Sequence, residues 1–99
     1  MVDILKEEKL IVKLKERLDT TNAQESADTI EPYLEELSSD IVLDVKELDY
    51  ISSAGLQVVL KCAKKAKEKG FDIYLQGAKG TVREIFQISG FYTFIKEME

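Results

Sequence analysis

The sequence contains no histidine and no tryptophan, and it has one cysteine and one proline among 99 residues. Without histidine, the chain cannot assemble a Ser-His-Asp or Cys-His catalytic site, a phosphohistidine relay or a histidine-ligated metal centre. Cys62 alone cannot form an internal disulfide or a paired-cysteine redox site. Nothing in the cysteine content therefore indicates an oxidising compartment.

Long apolar runs are also missing. No stretch approaches the roughly 18 apolar residues of a membrane span, and the first ten residues lack the basic and apolar segments of a secretion signal. At 44% hydrophobic and 33% charged residues, with five glycines, the composition is that of a folded globular protein. A length near 100 residues indicates one domain, 1–99, which we expect to be cytoplasmic.

The net charge of −5 is unevenly distributed. Residues 1–50 carry 6 basic and 14 acidic side chains, a net of −8, whereas residues 51–99 carry 8 basic and 5 acidic, a net of +3. Five lysines lie between Lys61 and Lys69, either as a basic patch for an acidic partner or nucleic acid, or as a solvated helix face. The second interpretation is favoured because arginines and aromatics are not interleaved, and we expect no nucleic-acid partner.

The amino-terminal half of the sequence predicts two strands and a helix. Leu10, Val12 and Leu14 alternate with polar residues, which predicts a half-buried strand over Lys9–Leu18, preceded by a strand over Met1–Leu5. Thr21 and Gln24 have the spacing of a capping box that opens a helix. We expect that helix to continue through Pro32 with a kink, because its apolar stripe keeps its phase across the proline.

The remainder alternates strands and helices. Ile41–Val45 predicts a buried strand, Lys46–Ser52 a loop, and a second helix follows, with Ser52 as N-cap, an apolar stripe that includes Leu56 and Leu60, and Gly70 at its end. A strand over Phe71–Leu75, a third helix opened by a Thr81/Glu84 capping box and closed by Gly90, and a short strand over Phe91–Ile95 complete the series. The order ββαβαβα(β) predicts an α/β domain with a mixed four- to five-stranded sheet and crossover helices.

Two serines stand where the second helix begins. A serine before a helix is most often a simple N-cap. A phosphate on Ser53 would nevertheless lie at the positive end of the helix dipole, and the small Ala54 and Gly55 would leave the serine hydroxyls accessible to another protein.

The run Leu48-Asp-Tyr-Ile-Ser-Ser-Ala-Gly-Leu56 resembles the signature of the STAS domain, as found in bacterial anti-sigma factor antagonists. Three further segments are similar to family segments in the same order: Glu16-Arg-Leu-Asp-Thr-Thr-Asn-Ala23, Ile41–Val45 and Phe86-Gln-Ile-Ser-Gly-Phe91. Three positions depart from the family pattern. Ser52 replaces the signature aspartate, Ala54 replaces a second serine or threonine, and Glu16 replaces a glycine.

The resemblance implies a binding protein that is switched by phosphorylation. In the family, the unmodified antagonist binds an anti-sigma factor that is also a serine/threonine kinase, phosphorylation of the antagonist ends binding, and a serine phosphatase restores it. The acceptor would be Ser53, with Ser52 as rival, and the phosphate would act as a surface switch without large rearrangement. The resemblance also implies that the family's last helix is missing or vestigial here. The partner-binding residues would be Asp19, Asp49, Ser52, Ser53, Ala54 and Gly55.

Other functions remain open from the sequence. A free-standing STAS subunit could dock on the ATPase of a transporter without phosphorylation, and a receiver domain would use Asp44 as aspartyl-phosphate acceptor at a strand end, close to the serine loop. Gly77-Ala-Lys-Gly80 lacks the spacing of a phosphate-binding loop, and no pair of carboxylates is placed for acid–base chemistry. We therefore expect no enzyme, no metal ion and no cofactor, and the oligomeric state is not predicted.

Overall fold

A single five-stranded sheet organises the chain, and the computed structural model describes residues 2–98. The strands follow one another across the sheet in chain order, β1 antiparallel to β2 and all later neighbours parallel. The elements are β1 Val2–Lys6, β2 Leu10–Leu18, α1 Ala23–Glu35, β3 Ile41–Ile51, α2 Ser53–Glu68, β4 Ile73–Gln76, α3 Gly80–Ile88, a 3₁₀ turn Phe91–Thr93 and β5 Lys96–Met98. The predicted order and fold class are confirmed, and Met1 lies outside the described residues.

The hydrophobic core lies on one face of the sheet. Every second residue of the parallel strands contributes to it, namely Leu10, Val12, Leu14, Ile41, Leu43, Val45, Ile73 and Leu75. Buried side chains of all three α-helices join the same cluster, among them Ile30, Leu34, Val59, Cys62, Val82 and Phe86. Burial raises the pKa of the Cys62 thiol to about 12, so this thiol serves the core as a small apolar side chain.

The opposite face of the sheet carries apolar, aromatic and charged side chains. Strand pairing aligns one row across all five strands, formed by Leu5, Ile11, Val42, Tyr74 and Lys96. The ammonium groups of Lys9 and Lys96 lie 5.2 and 5.9 Å from the centroid of the Tyr74 ring. These cation–π contacts place two lysine ammonium groups over an aromatic ring on this face.

The third strand is longer than predicted. The sequence indicated a strand that ends at Val45 and a loop over Lys46–Ser52, but β3 continues to Ile51. Two register shifts against β2 explain the error, because each inserts one extra residue into β3. Beyond Val45 the inward residues are Leu48 and Ile51, three apart, so the period-two pattern of a strand is lost.

Both predicted capping boxes are wrong. Helix α1 begins at Ala23 after Asn22, because Thr21 donates its hydroxyl hydrogen bond to Asp19 instead of capping the helix. Helix α3 begins at Gly80, so Thr81 already lies in its first turn. Helix α1 does continue through Pro32, and Gly70 and Gly90 adopt positive φ angles of 82° and 76° after their helices, as predicted.

Two smaller predictions also need correction. The segment predicted as a strand over Phe91–Ile95 begins instead with a 3₁₀ turn over Phe91–Thr93, in which the amide of Phe94 donates to the carbonyl of Phe91 at 3.1 Å. The last strand follows this segment. On α2, Leu56 and Leu60 are half-buried, while Val58 and Cys62 are buried. Within residues 2–98, no helix is both long and apolar enough to cross a membrane.

The second register shift of β3 is matched by an unusual backbone angle on β2. Glu16 has φ of 62°, and it is the one non-glycine residue of the described chain with positive φ. Glu16 pairs with Leu48 and the next residue, Arg17, pairs with Tyr50, so Asp49 is the extra residue. A positive φ beside a bulge is a position at which glycine is favoured, and there the family pattern has glycine.

We expect Glu16→Gly to stabilise the protein. The left-handed conformation costs a residue with a Cβ about 1–2 kcal/mol, and glycine's larger unfolded-state entropy offsets roughly 0.5–1 kcal/mol of the relief. Urea unfolding should therefore show a free energy of unfolding higher by about 0.5–1 kcal/mol. The matched control is Glu47→Gly on β3, which should lower it by about the same amount because Glu47 does not have a positive φ and glycine relieves no strain there. A loss of stability in Glu16→Gly would contradict the strain.

Candidate functional site

The site lies where β2 and β3 end side by side. Leu18 and Ile51 are paired, and the amide of Ser52 donates to the carbonyl of Leu18 at 2.9 Å. The next residues, Asp19 and Ser52, therefore begin neighbouring loops at the carboxyl ends of two parallel strands. This is the edge at which α/β sheets commonly place their binding sites.

The two serines have different roles at the start of α2. Ser52 has extended backbone angles, φ −95° and ψ 176°, and its Oγ accepts a hydrogen bond from the amide of Gly55 at 3.3 Å. Ser52 is thus the N-cap, as predicted, and the residue is half-buried. Ser53 is exposed at the first helical position, and its hydroxyl has no hydrogen-bond partner among residues 2–98.

Gly55 holds the start of α2 against the ends of both strands. A Cβ atom on Gly55 would lie 2.6 Å from the carbonyl oxygen of Leu18 and 2.8 Å from Cγ1 of Ile51. Contacts this short are forbidden, so only glycine allows the helix to approach so closely. Gly55 is buried, and it serves the site by packing; Ala54 beside it is half-buried against the core.

Asp19 is fixed by several hydrogen bonds. Its Oδ1 accepts from the amide of Thr21 at 3.0 Å and from the Thr21 hydroxyl at 2.6 Å, and its Oδ2 accepts from Nε of Arg17 at 3.1 Å. The Thr21 hydroxyl and the Arg17 guanidinium hold the pKa of the Asp19 carboxyl below its usual range. Asn22 completes the loop by accepting from the amide of Asp19 and donating to the carbonyl of Arg17.

An arginine and a tyrosine that the sequence analysis did not assign to the site lie beside it. The guanidinium carbon of Arg17 is 4.7 Å from the centroid of the Tyr50 ring, and the two residues are paired between β2 and β3. Both side chains are exposed, so they present a cation–π pair at the surface next to the serine loop. Both residues directly precede a strand-end residue, Leu18 or Ile51, but only the parallel register of β2 and β3 shows that the two are neighbours.

The acidic residues expected near the serines are only partly there. Asp49 is exposed, three residues before Ser52, and it is the extra residue of the β3 bulge. Asp44 lies in the middle of β3, seven residues before Ile51, which is about 20 Å along a strand. The expectation that Asp44 lies near the serine loop is therefore wrong, and Asp44 is not at a strand end as a receiver acceptor would be.

The charges around the start of α2 are asymmetric. The first turn of α2 contains no acidic residue, whereas its last turn contains Lys65 and Lys67, which suit the negative end of the helix dipole. Acids lie instead on the neighbouring strands, where Glu16 and Asp49 are exposed. Residues 2–98 include no group of three or more acidic or cysteine side chains placed to hold a metal ion. The arrangement offers an exposed hydroxyl and a rigid loop for recognition by another protein.

Comparison with known proteins identifies relatives of the chain. The STAS domain family matches residues 2–99. BtrV of Bordetella bronchiseptica, a curated protein named as an anti-sigma factor antagonist, is 39% identical over 82 residues, which cover 83% of this chain and 71% of BtrV.

Solved structures share the fold across the whole chain. The anti-sigma factor antagonist SpoIIAA of Bacillus, in its unphosphorylated form, is similar with a TM-score of 0.82 at 19% identity, over 100% of this chain and 87% of SpoIIAA. An anti-sigma factor antagonist (STAS) domain protein from Planctomyces limnophilus is similar with a TM-score of 0.87 at 13% identity, over 99% of this chain and 90% of that one.

Because of the close contact at Gly55, we expect Gly55→Ala to destabilise the protein, which is opposite to the usual effect of this substitution in a helix. Gly→Ala within a helix normally stabilises by about 1 kcal/mol, but here the added Cβ meets the backbone of Leu18. We expect Gly55→Ala to lower the free energy of unfolding by about 1–3 kcal/mol, as overpacking does. The control Gln57→Ala, at an exposed position of the same helix, should change it by less than about 0.5 kcal/mol. Stabilisation by Gly55→Ala would show that the contact is relaxed.

The carboxyl of Asp19 should titrate at unusually low pH. Because its pKa in the folded state is below the unfolded value, its contribution to stability is present above the unfolded pKa and is lost as the pH falls through the folded one. Carbon NMR of the carboxyl group measures this pKa directly. Thr21→Val removes one donor and should raise it, whereas the neighbouring exposed Thr20→Val should not. Equal values in both variants would contradict the role of Thr21.

Proposed function

The chain belongs to the STAS domain family, and from that premise we propose that it is an anti-sigma factor antagonist switched by phosphorylation of Ser53. The unmodified form binds an anti-sigma factor that is a serine/threonine kinase and so releases the sigma factor. Phosphorylation by that kinase weakens the complex, and a serine phosphatase restores it. The protein acts in the cytoplasm by binding, and its partners supply the catalysis.

The observation that carries this proposal is the difference between the two serine hydroxyls. Ser52 is half-buried and its hydroxyl accepts from the amide of Gly55, whereas Ser53 is exposed and its hydroxyl has no partner in residues 2–98. A kinase must bring the acceptor oxygen in line with the γ-phosphate, which requires an accessible hydroxyl. The geometry thus favours Ser53 over its rival Ser52 as acceptor.

Electrostatics explain how one phosphate could switch binding without disturbing the fold. A phosphoserine adds about −1.5 to −2 charges at pH 7. At Ser53 this charge meets unbonded amides and the positive end of a 16-residue helix, whose first turn has no acid of its own. The surrounding surface already bears Glu16 and Asp49, so a partner docked on it would face added repulsion and desolvation.

The exposed Arg17–Tyr50 pair is suited to anchor the partner. Tyrosine and arginine dominate the binding energy of many interfaces because they bury much surface with little loss of conformational freedom. Because Asp19 already orients the Arg17 side chain, less conformational entropy is lost when Arg17 binds a partner. Asp19 therefore acts in this proposal as a positioning residue for Arg17 and for the loop.

The relatives support the same function. BtrV, at 39% identity, is named as an anti-sigma factor antagonist. A structure of SpoIIAA in its phosphorylated form is also similar to this chain, with a TM-score of 0.74. These likenesses make partner switching the first function to test, ahead of docking on a transporter ATPase.

The decisive experiment measures binding and modification on one set of variants. Serine kinases captured from the source cells by the wild-type protein are purified, and the affinity of each for wild type, Ser53→Ala and Ser53→Asp is measured by calorimetry. We expect equal binding by wild type and Ser53→Ala, and binding by Ser53→Asp weaker by about tenfold or more, which corresponds to about 1.4 kcal/mol. With ATP, mass spectrometry should find phosphate on Ser53 of the wild type.

Matched controls separate the switch from general effects. Lys67→Gln makes the same change in net charge at an exposed position near the far end of α2 and should bind like the wild type. Ser52→Ala loses the N-cap, about 0.5–2 kcal/mol of stability, but should still be phosphorylated. Equal binding by all Ser53 variants would contradict the switch, and phosphate on Ser52 alone would move the acceptor. An unmodified protein that co-purifies with a transporter ATPase would favour the alternative function.

A further inference from the structure

A half-open groove lies at the other end of α2. It has a volume of about 610 Å³, within the range of 300–1,000 Å³ typical of small-molecule sites. The groove runs between the last turns of α2, the start of β4 and the segment before β5. Its apolar lining consists of Leu60, Ala63, Phe71, Ile73 and Phe94.

Phe94 makes this groove unusual as a surface. It is 44% exposed although it is a large apolar residue, and the centroid of its ring lies 5.1 Å from that of the buried Phe91, with the two rings tilted by 47°. Phe94 thus forms an apolar side of the groove, and the buried Phe91 packs against it. Exposed apolar surface next to a concave lining is a feature of ligand-binding sites.

The charged side chains that line the groove are three lysines and one aspartate, so the lining is mainly positive. Lys64 and Lys67 lie one turn apart on the same side of α2, and neither belongs to an ion pair within residues 2–98. The third lysine, Lys96, is paired with Asp72 at 3.2 Å, so the single acid of the groove is neutralised. Two ammonium groups are therefore free to meet one anionic group beside an apolar lining.

We propose that this groove binds a single-chain amphipathic carboxylate, that is, a free fatty acid. The apolar chain would lie against Ile73 and Phe94, and the carboxylate would accept hydrogen bonds from Lys64 and Lys67. The lining of the groove favours a ligand with both an apolar chain and a carboxylate. A purely apolar ligand would leave the lysines without an anionic partner, and a small anion would not fill the groove. Charge-assisted hydrogen bonds from two lysines give the head group its specificity.

The fatty-acid site is remote from the serine loop. Fourteen residues of α2 separate Ser53 from Lys67, which is about 21 Å along a helix. The groove lies at the amino end of β4, whereas the serine loop follows the carboxyl end of β3. Fatty-acid binding is therefore independent of the proposed phosphorylation switch and can be tested without the kinase.

The test uses decanoate as probe, with binding measured by calorimetry and mapped by amide NMR on the full chain. We expect a dissociation constant on the order of 100 µM for a ligand of this size. Shifted amide signals should cluster at the groove and leave the Ser52–Gly55 loop unchanged. Acetate, which lacks the chain, should not bind, and decanol, which lacks the charge, should bind about tenfold more weakly.

Variants of equal charge distinguish the two lysines from the rest of α2. Lys64→Gln/Lys67→Gln should weaken decanoate binding about five- to tenfold, whereas Lys61→Gln/Lys65→Gln, which removes the same charge outside the groove, should not weaken it. Phe94→Ala should weaken it about tenfold through lost apolar contact. Ser53→Asp should bind like the wild type, so failure of the switch and failure of this site would be seen separately. Thermal unfolding of each variant confirms that it is folded.

Three results would overturn the proposal. The first is equal affinity for decanoate in the two lysine pairs, which would mean that the groove charges do not take part. The second is amide shifts located elsewhere on the molecule. The third is binding to phosphatidylglycerol vesicles without binding to dissolved decanoate, which would identify a membrane surface instead of a site for a free ligand.

Discussion

The parallel pairing of β2 with β3 is the constraint on which the rest of the structure depends. It places Leu18 and Ile51 side by side at the carboxyl ends of the two strands, and both strands end there. Helix α2 then starts so close to the strand ends that Gly55 touches the Leu18 carbonyl region with no space for a side chain. The serine loop is thereby held by backbone contacts, which remain in place whatever side chain a partner modifies.

Helix α2 connects two ends of different chemistry. Its first turn offers amides and small polar residues, and its last turn offers lysines beside an apolar lining. The helix itself is held in place by its middle, where Val59 and Cys62 are buried and Lys61 bonds to Glu31 of α1 at 3.2 Å. In the proposed function, a protein without histidine takes part in signalling by recognition, which needs exposed groups on a rigid support, and its partners would supply the catalysis.

Much of the fold was predictable because local signals agreed with one another. Alternation at Leu10, Val12 and Leu14 defined β2, and the N-cap Ser52 marked the start of α2. The end of β3 was not predictable, because the bulges replace the period of two with a spacing of three and make Lys46 and Glu47 look like a loop. The Thr21 capping box failed because Thr21 donates its hydroxyl and its amide to Asp19 in the preceding loop, and Asn22 takes the N-cap position. The pairing of Arg17 with Tyr50 depends on register, which no single segment encodes.

The bulge at Asp49 also determines how the chain tolerates changes in length. In a regular strand, removing one residue turns every later side chain to the wrong face of the sheet. Asp49 has no partner on β2, so its deletion would restore one-to-one pairing and leave Ile51 facing the core. The chain can therefore be shortened by one residue at this point without rebuilding the core or moving the serine loop away from the strand ends.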